Sequence, residues 1–126
     1  MSEGVTSYKA CKHIRQDELA EVIKQARTKG HKVTGHLCSI TYREAAELSI
    51  DNLEHGFFAA TDFVKGKVEN ECPSKSAHQS LVDLDIDSKE VHDLIEFLVK
   101  KDVTITSTLT VFETSPQADQ KLTQRL

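Results

Sequence analysis

One building block recurs along this chain: a helix with a single apolar stripe, followed at once by a short strand. Residues 17–29 carry Leu19, Val22, Ile23 and Ala26 at i, i+3, i+4 and i+7, the spacing of one helix face. Gly30 stops that helix, with Lys29 set against the negative end of its dipole, and residues 32–36 follow as a strand. The next unit begins at Thr41, an N-cap residue with Glu44 three positions on, passes through Ala45, Ala46 and Leu48, and leads into Leu53-Glu54-His55. A further unit starts near Ser88, with Val91, Leu94, Ile95 and Leu98 on the stripe and residues 103–109 as the strand. The shift that lays Leu19 on Val91 also lays Thr34 on Thr106 and His36 on Thr108. Few identities accompany it, so it marks a repeated architecture and not a gene duplication. Helices alternating with strands predict an α/β fold with parallel strands, because a parallel neighbour is reached only through a crossover.

Alternation within the strands assigns faces. Val33, Val103 and Ile105 are expected beneath the helices, and Thr34, His36, Thr104, Thr106 and Thr108 on the opposite, barrel-interior face. The same reasoning puts Leu53 and His55 inward and leaves Glu54 outward under a helix, where a carboxylate needs a partner. Residues 57–87 are too long for a simple connection. Phe57, Phe58 and Phe63 are candidates to cap the strand ends, Cys72-Pro73-Ser74 is a break, and residues 77–84 suit a short helix. Long loops of this kind either shape a pocket or are plain surface excursions. The tail, residues 114–126, with Pro116 and many polar side chains, gives no clear helical pattern.

Two histidines close successive strands: His36 ends Lys32-Val33-Thr34-Gly35-His36, and His55 ends Asn52-Leu53-Glu54-His55. Imidazoles at the C-terminal ends of neighbouring parallel strands converge in a β/α barrel, where such folds place metals and catalysis. Two imidazoles make only part of a catalytic metal site, which generally takes three protein ligands and a water. His13, His31, His78 and His92 sit in polar, loop or helix-surface contexts and read as solvated. Asp83, Asp85 and Asp87 alternate, but without the glycine turn and terminal glutamate of a calcium loop they read as a solvated edge before the next helix. No nucleophile elbow, phosphate loop or Cys-His catalytic arrangement is visible.

Composition narrows the field. The 126 residues are about half of the roughly 250 that a complete (β/α)8 barrel requires. A net charge of −4 with no basic run argues against a nucleic-acid partner. No stretch approaches the ~20 apolar residues of a membrane span, and the N-terminal residues lack the regions of a signal peptide, so a soluble, cytoplasmic protein is the default expectation. Cys11, Cys38 and Cys72, odd in number and widely spaced, are expected as ordinary thiols and not as a disulfide framework.

The segments Lys32-Val33-Thr34-Gly35-His36-Leu37, Arg43-Glu44-Ala45-Ala46 and Ile50-Asp51-Asn52-Leu53-Glu54-His55-Gly56 resemble the amidohydrolase superfamily, in particular its imidazolonepropionase-like and prolidase-like branch. There, a strand ending in Gly-His is followed by a helix, a Gly-Ile/Val-Asp turn and a strand ending in Glu-His-Gly. The resemblance covers residues 18–112. It implies that His36 and His55 are the metal-ligand histidines of the fifth and sixth strands of a TIM-type barrel, and that residues 103–109 form the seventh. Ser49 stands where glycine is usual, which suits serine if its backbone avoids a strongly positive φ.

The resemblance further implies a divalent metal, zinc by expectation, whose bound water attacks the carbonyl of a small amide-type substrate and breaks a C–N bond. It expects a His-x-His on the first strand, a carboxylated lysine on the fourth and an aspartate after the eighth. No His-x-His occurs in the sequence, and Lys9 and Lys12 are expected to follow the end of the fourth strand and not to lie on it. The combined expectation is a single partial β/α-barrel domain over residues 1–126, a fragment of a metal-dependent amidohydrolase that is inactive alone. His36 and His55 are its metal ligands, and Thr108 lines the substrate pocket. The alternatives are a non-catalytic half-barrel, which associates with itself or another chain through open sheet edges, and a truncated gene product with no independent role.

Overall fold

The computed structural model describes residues 6–107. Four parallel strands, β1 (Ser7–Ala10), β2 (Lys32–Gly35), β3 (Asn52–Glu54) and β4 (Thr104–Thr106), form one sheet in the order β1-β2-β3-β4. The connections carry α1 (Gln16–Thr28), α2 (Tyr42–Glu47), and then α3 (Ser74–Val82) with α4 (Lys89–Lys100). The fold is thus α/β with an all-parallel sheet, as the recurring helix-then-strand block predicts.

The helices α2 and α4 start at the capping residues their sequence signals mark. Thr41 and Glu44 make a reciprocal capping box at the start of α2, and the Ser88 hydroxyl accepts from the Val91 amide at the start of α4. Leu19, Ile23 and Ala26 of α1 and Val91, Leu94 and Leu98 of α4 are the buried residues of the two stripes. They close over Val33, Leu53 and the fully buried Leu37, Ile40 and Tyr42 to make the core. Packing α4 and α2 against each other leaves Ile95 and Val99 exposed.

Several expectations are corrected. Ser7–Ala10, not read as a strand from the sequence, pairs with β2, so Lys9 lies within β1, opposite Thr34, and does not follow a strand end. Four residues give too short a pattern to signal a strand by alternation; pairing with the edge of β2 decides it. Leu53 faces the helices and is fully buried, whereas Glu54 faces the other side of the sheet, the reverse of the expected assignment. Ile105 pairs beside Leu53 and Thr106 beside Glu54, which keeps apolar and polar faces consistent across β3 and β4. The short helix in the long connection begins at Ser74, directly after Pro73, three residues before the expected start.

Cys38 and Cys72 form a disulfide, which corrects the expectation of ordinary thiols; Cys11 is free and exposed. Their separation of 34 residues hides the pair in the sequence, and only the fold brings the loop after β2 against the start of α3, with the Cα atoms 4.9 Å apart. Ser49 adopts φ 72°, in the left-handed region, at a cost of about 1 kcal/mol for a residue with a Cβ. Arg27 holds that turn: its guanidinium donates to the Ser49 carbonyl (2.6 Å) and grips both carboxylate oxygens of Asp51 at 2.9 and 3.1 Å. Asp51 in turn accepts from the Val33 amide at 2.7 Å and ties the turn to β2.

Candidate functional site

The C-terminal ends of β2 and β3 bring His36 and His55 together. Their ring centres are 4.1 Å apart at an interplanar angle of 62°, an edge-to-face contact. Strict alternation does not produce this pairing. His36 follows Thr34 on the polar face of the sheet, but His55 comes after Glu54, which already occupies that face, and regular strand geometry would send its side chain toward the helices. A φ of 69° at His55 breaks the alternation and turns the ring back beside His36.

A left-handed residue bearing a Cβ is strained and persists where its surroundings over-determine it. Tyr42 supplies that constraint. Its hydroxyl, on a fully buried side chain, donates to the carbonyl oxygens of Glu54 and Gly56, the residues on either side of His55. The Gly56 amide donates to the Thr106 carbonyl at 3.0 Å, and the Phe58 amide donates back to the His55 carbonyl at 3.1 Å. Gly56 itself has φ 59°, a conformation glycine adopts without penalty. Burial pushes the Tyr42 phenol far above its ordinary value, and the nearby Asp62 charge adds to the shift, so it stays a donor.

The polar face carries a hydrogen-bonded chain across all four strands. Thr106 donates to the Asn52 side-chain carbonyl (2.9 Å), the Asn52 amide group donates to the Thr34 hydroxyl (2.7 Å), and Thr34 donates to Glu54 (3.3 Å). The other oxygen of Glu54 meets the Lys9 ammonium at 2.8 Å. Burial raises the Glu54 carboxyl, but the Lys9 hydrogen bond and charge, with Thr34, outweigh it and leave the group below its ordinary value. Burial, then the charges of His55, Lys12 and Lys9, lower the His36 imidazole, against a smaller opposing pull from Glu54. His36 is therefore held toward its neutral form, the form that ligates metals.

Above the two rings lies a cavity of about 170 Å³ whose walls include Lys12, His36, His55, Phe58, Ser74 and His78. A larger cavity of about 740 Å³, between Phe63, Gln79 and Glu90, contains none of the histidines. His78 was read as solvated, and its side chain is exposed, yet it stands on the wall of the His36–His55 cavity with its ring edge-on to Phe58 at 6.2 Å. Nothing local in the sequence marks it. The path of residues 57–73 and the Cys38–Cys72 bond bring α3 there. His31 lies elsewhere, within 3.1 Å of the Tyr8 hydroxyl. The Asp83–Asp87 region is exposed, with Asp85 accepting from the Asp87 amide just before the α4 cap. Thr108, the expected pocket residue, lies outside the described residues.

The donor set fits part of a metal centre. Two neighbouring imidazoles are half of the four ligands that a tetrahedral ion takes. Among the described residues no group of three or more His, Cys, Asp or Glu side chains has the arrangement to hold an ion. Among the described residues no helix is long and apolar enough to cross a membrane. Comparison with protein-family models, with curated proteins and with solved structures finds no match.

Proposed function

We propose that this chain contributes one sector of a TIM-type β/α barrel to a metal-dependent amidohydrolase, with His36 and His55 as two ligands of its metal, zinc by preference. The supporting observation is the strained turn at His55, which, against the alternation of its strand, sets a second imidazole beside His36 at the carboxyl end of a parallel sheet. The left-handed backbone at His55 costs about 1–2 kcal/mol, and the buried Tyr42 hydroxyl holds the carbonyls on either side of it. In this reading His36 and His55 would hold part of the metal's ligand set, and the chemistry a bound metal would supply there is activation of water toward the carbonyl of an amide. The chain's own residues do the holding: Tyr42 orients His55, and Glu54 and Thr34 stabilise the sheet face below. In this reading β1, which pairs with β2, would be the fourth barrel strand and would carry Lys9, whose ammonium is paired with Glu54.

Zinc stoichiometry of the purified wild type, His36→Ala and His55→Ala tests the proposal. Zinc retained by the wild type and lost from both variants is the expected result; equal, negligible zinc in all three sinks it. A second reading, a half-barrel that associates with a copy of itself or with another chain, is favoured by the strand order: among the described residues β1 and β4 each pair on one side only. Sedimentation at several concentrations separates the two, since a concentration-independent monomer with a sharp unfolding transition rules out association.

A further inference from the structure

An all-parallel sheet is ordinarily covered on both faces. Here α1, α2 and α4 build the core on the face of Val33 and Leu53, while Lys9, Thr104 and Thr106 on the opposite face are exposed. That face is polar, and its groups are already partnered. Thr106, Asn52, Thr34 and Glu54 are linked in one hydrogen-bonded chain, which Lys9 ends with its ion pair. Partnered polar groups can be enclosed without the cost of unmade hydrogen bonds, so this face is fit for burial against a second wall.

Both ends of the sheet are also open. Among the described residues β1 and β4 each pair on one side only, and the helix beside each edge turns an apolar flank outward. On α4, the Arg43 guanidinium of α2 lies over the Phe97 ring at 4.4 Å from its centre. Ile95 and Val99 stand about 160° around the helix from Phe97, on the flank away from α2, and are 40% and 72% exposed. On α1, Gln16 meets Glu44 of α2 and Arg27 holds the turn before β3, so that Val22 lies on the flank away from both. There it forms a groove of about 280 Å³ with Tyr8 of β1 and Ala26.

We infer that the partner of this chain is a second copy of itself, and that one metal ion is held between the copies by His36 and His55 of both. The inference rests on the reading of His36 and His55 as metal ligands and names the partner that completes them. A β/α barrel closes with eight strands, twice the four described here, and a tetrahedral ion takes four ligands, twice the two imidazoles of this site. A two-fold axis along the barrel sets β4 of one copy beside β1 of the other at two identical seams. Every strand stays parallel, the polar faces become the interior, and the α4 flank of each copy meets the α1 flank of the other. The interior of an eight-stranded barrel is just wide enough for side chains to fill, so imidazoles reaching in from opposite walls meet near the axis. Four imidazoles fill a tetrahedral shell, and water joins such an ion as a fifth ligand, the expansion zinc undergoes at catalytic sites.

The test follows mass by sedimentation, and zinc content, in the full chain supplied with zinc. A species of twice the 14.1 kDa of one chain, holding one zinc per two chains, is the expected result. Val99→Glu and Val22→Lys change the two flanks and leave the histidines alone. Each variant alone is expected to keep the wild-type circular dichroism, sediment as a monomer and lose the zinc. Mixed in equal amounts they regain both, because one seam of the mixed pair is wild type on both sides and the other sets opposite introduced charges together. Zinc on a monomer, or a dimer with one zinc per chain, overturns the shared site and leaves His36 and His55 standing as ligands. Absence of zinc from the wild type in any state strikes that reading as well. A wild-type monomer at all concentrations, the result if residues 108–126 of the same chain occupy these flanks, overturns the partner, and so do single variants that dimerise like the wild type.

Discussion

The left-handed turn at His55 leads to a prediction whose sign, and not only its size, is diagnostic. At an ordinary strand position glycine is less favourable than alanine by about 0.5–1 kcal/mol, because it loses more backbone freedom and packs nothing. At φ 69° the order inverts: alanine carries the Cβ clash of the left-handed region, about 1–2 kcal/mol, which glycine escapes. His55→Ala and His55→Gly both delete the imidazole and its contact with His36, so that loss cancels between them. What remains is the backbone term, and His55→Gly is expected to be the more stable of the two by about 1 kcal/mol. Urea unfolding read as midpoint at constant slope measures it, and thermal midpoints should differ by roughly 4–8 °C for a domain of this size. If His55→Gly is instead the less stable variant, His55 lies in extended backbone, its ring points toward the helices, and the account of how the two histidines meet fails.

Tyr42→Phe keeps the buried ring but removes the donor to the Glu54 and Gly56 carbonyls; a loss of about 1–3 kcal/mol with displaced His55 ring resonances is expected, and wild-type resonances in the variant would remove Tyr42 as the clamp. Glu54→Gln tests the cross-strand chain: because the folded Glu54 value lies below the ordinary 4.5, its stabilisation is present above that pH and is lost as pH falls through the lowered value. The difference between wild type and Glu54→Gln should be small at neutral pH, since Lys9 is half exposed, and should shrink as the pH falls below 4.5; a difference that grows on acidification contradicts the ion pair. Reducing the Cys38–Cys72 bond, which spans a separation of 34 residues, should cost up to about 4 kcal/mol in the chain-entropy account, and an unchanged urea midpoint in reductant would show that the bond does not restrain the unfolded chain.

The amino-acid sequence by itself determined the layers. Apolar stripes on α1 and α4, the capping residues Thr41 and Ser88, and the stop at Gly30 act over a few residues, and local spacing was enough to read helices, strands and their parallel arrangement. It also placed His36 correctly at the end of β2, because alternation holds throughout that strand. It misread Leu53, Glu54 and the route by which His55 reaches the site, since a single left-handed residue reverses the direction of a side chain and leaves no local trace when the residue is not glycine. Tertiary structure decided the rest: β1 exists because β2 offers it an edge, Lys9 meets Glu54 across β2, and Cys72 and His78 arrive from a connection whose path depends on what it packs against. Periodicity reports which residues share a face of one element. Which elements meet, and which side chains therefore share a cavity, depends on contacts between residues far apart in the chain.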